Sequence, residues 1–159
     1  MRDPDEIPVV YMDTSVYGRP FDNPMVGSNR REIRAVAHIV EAIRTGTAEL
    51  VTSFVVQQEC APATAEVRKL EESLRVEATA DILRTPELEA LAARLAEGAD
   101  LKQAESLHVA CVALSEASNF LSCNPRRIGK QAAIEAVLGR PFAMSNPADF
   151  VRDILAPLL

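Results

Sequence analysis

Short β-branched or aromatic runs recur along the 159 residues, separated by stretches whose apolar positions repeat at helical spacing. That alternation is the strongest constraint on the chain, because strands separated by helices pair in parallel with the helices laid over the sheet. Val9-Val10-Tyr11-Met12 ends abruptly at Asp13, and Leu50-Val51-Thr52-Ser53-Phe54, Asn119-Phe120-Leu121-Ser122-Cys123 and Pro141-Phe142-Ala143-Met144-Ser145 read as further strands. Arg75-Val76-Glu77-Ala78-Thr79 reads as a weak edge strand. Helices are expected from Ser28 to Gly46, Val55 to Ala61, Thr64 to Leu74, Thr85 to Gly98, Leu101 to Ser115, Asn124 to about Leu138, and after Asn146-Pro147. Ser28, Thr85 and Asn124 are candidate N-caps, the last two strengthened by a following proline. Leu101, Ala104, Leu107, Cys111 and Leu114 form the expected buried stripe of their helix, while Arg19-Pro20-Phe21-Asp22 reads as a loop. No Gly/Ser linker, low-complexity tract or internal repeat interrupts the pattern. The expectation is one domain over residues 1–159, an α/β/α three-layer fold with a mostly parallel sheet of four to five strands.

A chain of this length buries roughly two thirds of its unfolded surface and needs no covalent staple. Its three cysteines, Cys60, Cys111 and Cys123, are odd in number and widely spaced, which suggests neither a disulfide framework nor a zinc site and fits a reducing cytoplasm. Met1-Arg2-Asp3-Pro4-Asp5-Glu6 carries acids and a proline where a signal peptide needs a basic and then apolar stretch, and no apolar run approaches a membrane span. Neither export by that route nor membrane insertion is expected. The net charge of −6 opposes broad adhesion to nucleic acid, so any RNA must be gripped locally. Arg30, Arg31 and Arg34 form one candidate cluster, and Arg126, Arg127 and Lys130 another; either can equally be a solvated helix face.

Four side chains are candidates for chemistry. Asp13 closes the first strand and is followed by Thr14 and Ser15; Glu59 lies in the short helix after the second strand; Glu105 lies in the first turns of Lys102-Gln103-Ala104-Glu105-Ser106-Leu107-His108; Asn124 closes the fourth strand. In a parallel sheet with strands one and four central, Asp13 and Asn124 are neighbours at the carboxyl edge, where sites of open α/β sheets form. Clustered carboxylates repel unless a hard divalent cation neutralises them, so convergence implies Mg²⁺ or Mn²⁺ with oxygen ligands. Each residue also has a plainer role: Asp13 in a turn, Glu59 as a solvated acid, Glu105 as an anion near a helix N-terminus, Asn124 as a cap. His108 is read as a core residue, and His38 as a surface one. A phosphatase of the haloacid-dehalogenase type needs an acid where Ser15 stands, and a receiver domain needs paired acids that this chain lacks.

The strand ending in Asp13-Thr14-Ser15, the segment Glu105-Ser106-Leu107-His108-Val109-Ala110-Cys111, the strand Phe120-Leu121-Ser122-Cys123-Asn124 and the closing Asn146-Pro147-Ala148-Asp149-Phe150 together resemble the PIN-domain superfamily, close to VapC-type proteins. The resemblance spans roughly Val9 to Phe150 and implies a PIN-like fold and a metal-dependent endoribonuclease that hydrolyses RNA phosphodiesters. It assigns Asp13, Glu59 and Glu105 to a Mg²⁺ or Mn²⁺ site, with Asn124 as the fourth catalytic position, and makes Thr14, Ser15, Arg19, Ser122 and Arg126 candidate substrate contacts. A small antitoxin partner and a homodimer are implied on the same ground. Two positions depart from the family pattern: Glu105 stands where Asp is usual and reaches one methylene further, and Asn124 stands where an acid is usual and lowers the formal charge of the four positions from −4 to −3. The alternative is therefore a catalytically degenerate PIN scaffold that binds a protein partner or RNA without cleaving it.

Overall fold

In the computed structural model, which describes residues 6–158, the sheet grows outward from β1 (Val9–Met12). β2 (Glu49–Ser53) and β3 (Ala80–Ile82) add on one side, and β4 (Asn119–Leu121) and β5 (Met144–Ser145) on the other. The order is β3-β2-β1-β4-β5 and every neighbouring pair is parallel. Helices flank this sheet, the arrangement of a three-layer α/β/α fold. Val10, Tyr11 and Met12 are all buried, as a central parallel strand covered on both faces requires. Having built β2 and β3 on one side, the chain returns to place β4 on the other side of β1. At such a reversal the connections leave in opposite directions, and a crevice opens outside the carboxyl ends of the two strands. Met1 to Asp5, part of the stretch weighed against a signal peptide, lie outside the described residues; among those described, no helix is long and apolar enough to cross a membrane.

The helices follow local signals with several differences. The residues after Asp13 are not a plain loop: α1 (Thr14–Gly18) starts on the Asp13 cap and runs into a 3-10 turn, Arg19–Phe21. α2 (Asn29–Thr45) buries Val36, Ile39, Val40 and Ile43 and stops at Gly46, whose φ of 82° favours glycine. Ser28 does not cap it; its hydroxyl donates to Glu32 Oε1 instead (3.1 Å). α3 (Phe54–Cys60) is capped by Ser53, and α5 (Pro86–Gly98) by Thr85. α6 (Gln103–Ala113) buries Ser106 and every residue from His108 to Val112 rather than one stripe, and Leu114 is exposed. The reason is position: α6 packs against α5, α3 and β2 at once, so burial is set by neighbours on several sides.

Three further expectations are corrected. Arg75 to Glu77 are the last turn of α4 (Ala65–Glu77), not a strand, and β3 begins only at Ala80. The Arg75 guanidinium donates through Nε and Nη2 to both oxygens of buried Glu71 (2.9 and 2.7 Å), a pairing four residues apart that carries the helix past Leu74. The helix expected from Asn124 to Leu138 is two, α7 (Pro125–Ile128) and α8 (Gln131–Leu138), parted at Gly129 and Lys130. The last strand shrinks from Pro141–Ser145 to Met144–Ser145. The final segment, α9 (Pro147–Phe150) continued by a π-helical turn at Val151–Leu155, docks through Phe150 and Leu155; of Val151, Ile154, Leu155 and Leu158, the residues expected to dock it, only Leu155 is fully buried, Val151 and Ile154 are half-buried and Leu158 is exposed.

The corrected end of α4 gives a direct test. Val76 is 84% exposed on the helix, so Val76→Ala leaves stability unchanged or raises it by about 0.5 kcal/mol, because alanine is the better helix former. Leu74→Ala, at a fully buried site, lowers stability by about 2–5 kcal/mol. Urea unfolding measures both, and a loss at Val76 would restore the strand.

Candidate functional site

Asp13 stands where β1 ends, and its amide still donates to the Leu121 carbonyl of β4 (3.1 Å), so the carboxylate is delivered from a rigid point. It is fully buried. A buried carboxylate must be hydrogen-bonded and paired, and Asp13 is both. Oδ1 accepts from the Ser15 amide (3.0 Å) and the Ser15 hydroxyl (2.5 Å), and Oδ2 accepts from Arg127 Nη1 (2.5 Å). Ser15 Oγ in turn accepts from the Cys123 amide (2.9 Å), which locks the carboxyl end of β1 to that of β4.

Arg127 reaches Asp13 from α7. Its Nε lies 3.9 Å from Glu105 Oε2, at the start of α6, and that nitrogen is buried without a hydrogen-bond partner among the described residues. One guanidinium therefore lies between the two carboxylates, with its side chain only 15% exposed. Two of the expected acids do meet, across a cation supplied by the chain itself.

Glu59, on α3, belongs to a second and connected group. Its Oε1 accepts from the Thr14 hydroxyl (2.6 Å) and meets His108 Nε2 (2.5 Å). Burial pushes the Glu59 carboxyl upward, but the His108 hydrogen bond and charge, Thr14 and the Arg127 charge outweigh it and hold the group below its ordinary value. With Glu59 ionised, Nε2 carries a proton and donates to it, while Nδ1 pairs with the Tyr11 hydroxyl (2.7 Å). Tyr11 is buried, which raises its phenol well above the ordinary value and keeps that hydroxyl protonated; its oxygen also meets Ser53 Oγ (2.8 Å). His108 is thus the core residue expected, and it also orients Glu59.

Asn124 caps α7. Its Oδ1 accepts from the Arg126 backbone amide (3.0 Å), which commits the side-chain carbonyl to the backbone, and the Asn124 backbone N–H donates to Ser122 Oγ (3.0 Å). A cleft of ≈ 350 Å³ opens beside it, lined by Leu101, Lys102, Glu105, Asn124, Arg126 and Lys130 with Asp100 at the rim. Of the expected substrate contacts, Arg126 lines this cleft, Thr14 and Ser15 hold the acids, and Ser122 is buried beneath Asn124. Arg19 turns elsewhere, to Asp22 (2.7 Å) and Glu32 (3.6 Å). Of the two basic clusters, only the one around Arg126 joins the acids. Arg30, Arg31 and Arg34 line a separate groove of ≈ 520 Å³ against Ala148 and Val151, where His38 also lies. Burial pushes the thiols of Cys60, Cys111 and Cys123 up to about 12, 11 and 11 and keeps them protonated.

Among the described residues no three His, Cys, Asp or Glu side chains are grouped closely enough to hold a metal ion. A dedicated four-acid cage is not the donor set here. Asp13 and Glu105 still offer carboxylate oxygens on one positive centre, and Mg²⁺ is commonly held by one or two carboxylates with water and substrate phosphate completing its shell. The chemistry of these two residues fits such an ion at the place that the guanidinium takes. Sequence reasoning missed Arg127 and Lys102 as site residues. The basic run after Asn124-Pro125 was visible, but which of two adjacent arginines faces Asp13 depends on the phase of a single turn. Comparisons with protein-family models, with curated proteins and with solved structures find no match to this chain.

Removing Arg127 leaves Asp13 buried and unpaired, so Arg127→Ala lowers unfolding free energy by about 3–5 kcal/mol, more than Asp13→Asn does. The double substitution costs less than the sum of the two singles, as measured by urea unfolding in a double-mutant cycle. Strict additivity would dissolve the pair.

Proposed function

We propose that this chain is a PIN-type endoribonuclease that hydrolyses RNA phosphodiesters with Mg²⁺ or Mn²⁺. The observation that carries the reading is the meeting of Asp13 and Glu105 around one positive centre at the sheet's reversal point, beside a cleft edged by Lys102, Arg126 and Lys130. Asp13 and Glu105 are the residues that would hold the cation. When bound, it would acidify a coordinated water and screen the charge that develops on the phosphoryl oxygens. Lys102, Arg126 and Lys130 bind and orient the phosphodiester in the cleft, and the arginine adds a planar fork matched to phosphate oxygens. Glu59, kept ionised and aimed by His108 and Thr14, would hold and orient the attacking water. Asn124 acts through the backbone, by starting the turn that carries Arg126 and Arg127. A small antitoxin and a second copy of the chain are the partners this reading proposes.

A second reading, a PIN scaffold that binds RNA or a protein partner without cutting, draws on a specific observation: Arg127 already neutralises Asp13, and Asn124 adds no charge. The two part on one assay. With purified protein and Mn²⁺, structured and single-stranded RNAs are cleaved, and Asp13→Asn reduces cleavage by about 10²-fold or more, the size of a lost group that binds the reacting centre's cation. If no RNA is cleaved, or if cleavage survives Asp13→Asn, the ribonuclease reading falls.

A further inference from the structure

Arg127 does more than neutralise a buried acid. Its guanidinium contacts both of the carboxylates that the proposed cation would use, with Nη1 on Asp13 Oδ2 (2.5 Å) and Nε near Glu105 Oε2 (3.9 Å). The arginine cannot diffuse away, because α7 is a single turn anchored by the Asn124 cap and Pro125. A tethered group keeps a high effective concentration at its site, so a dissolved ion must displace it rather than fill a space. Formal charge points the same way. Asp13, Glu59 and Glu105 supply −3, and Arg127 brings that to −2, half of what four acids would present to a dication. Nε itself, buried and without a hydrogen bond, is a weak point in the arrangement: the guanidinium is held mainly through Nη1.

We propose that Arg127 is a tethered cation competing with the divalent ion for Asp13 and Glu105, so that the free protein has low metal affinity and the ion enters only as the guanidinium leaves. This inference rests on the ribonuclease reading for the identity of the ion, and it deepens that reading by giving the site an internal competitor. A phosphodiester in the neighbouring cleft is the natural new partner for the displaced arginine, since guanidinium and phosphate pair through two parallel hydrogen bonds.

Titration calorimetry of the full chain with MnCl₂ tests the competition. Arg127→Gln binds Mn²⁺ at least about tenfold more tightly than the wild type, because one full charge has left the site. The gain disappears in Arg127→Gln/Asp13→Asn. Should Arg127→Gln fold poorly, thermal melting gives the same answer: millimolar MnCl₂ raises its melting temperature by several degrees and leaves that of the wild type nearly unmoved. Equal Mn²⁺ affinity in wild type and Arg127→Gln overturns the proposal, as does a gain that survives loss of Asp13. Tighter binding by Arg127→Gln with no RNA cleavage by any variant upholds the competition and removes the ribonuclease reading. Equal binding alongside Asp13-dependent cleavage does the reverse.

Discussion

A carboxylate with no exposure to solvent, at the end of a central strand, is the constraint around which the rest of the site is arranged. Water cannot stabilise the Asp13 charge, so protein dipoles and a counter-charge must. The Ser15 amide and hydroxyl supply the first, which is why α1 starts immediately after the strand and why no loop intervenes. Arg127 supplies the second, reaching Asp13 from the single turn of α7 that the Asn124 cap starts. The same serine oxygen accepts the Cys123 amide, so neutralising Asp13 also clamps the strand pair that forms the crevice.

Beside this ion pair runs a line of hydrogen bonds from the core to the edge: Ser53, Tyr11, His108, Glu59 and Thr14. Ser53, Tyr11 and His108 are buried, Glu59 is fixed by His108 and Thr14 by Glu59, and the Tyr11 and Phe120 ring centroids lie 5.6 Å apart in a stacked arrangement. Glu59 is thereby held in a set direction and kept ionised against the effect of burial. Arg127 is felt by Glu59 as well as by Asp13 and Glu105, so the three acids form one electrostatic unit although only two of them share a contact. For any reaction proposed at this edge, the relevant charge is that of the unit with its arginine included.

Much of the architecture was legible because it rests on local chemistry. Runs of buried β-branched and aromatic residues mark β1, β2 and β4, and Thr85-Pro86, Asn124-Pro125 and Gly46 mark helix ends by hydrogen bonding and backbone freedom that need no tertiary partner. Where the reading slipped, a contact outside the local window decided. Arg75 and Val76 look extended by composition, but the ion pair to buried Glu71 prolongs α4. The buried side of α6 could not be read from its period, since α3, α5 and β2 enclose it from different directions. Ser28 is a good cap by type, yet its hydroxyl is drawn to Glu32, which Arg19 and Asn146 also approach.

The amino-acid sequence by itself determined a parallel α/β fold and marked Asp13, Glu105 and Asn124, because strand ends and helix starts are written in a few residues of local hydrogen bonding; Glu59 was singled out only by the family resemblance. Tertiary structure alone decided how the three acids are used. Glu59 is bound to His108 49 residues away, Asp13 is paired with Arg127 114 residues away, and Glu105 faces the same guanidinium. Such pairings depend on the sheet's order and on the phase of one short turn, and a charge finds its counter-charge only when both have been brought out of water to the same edge.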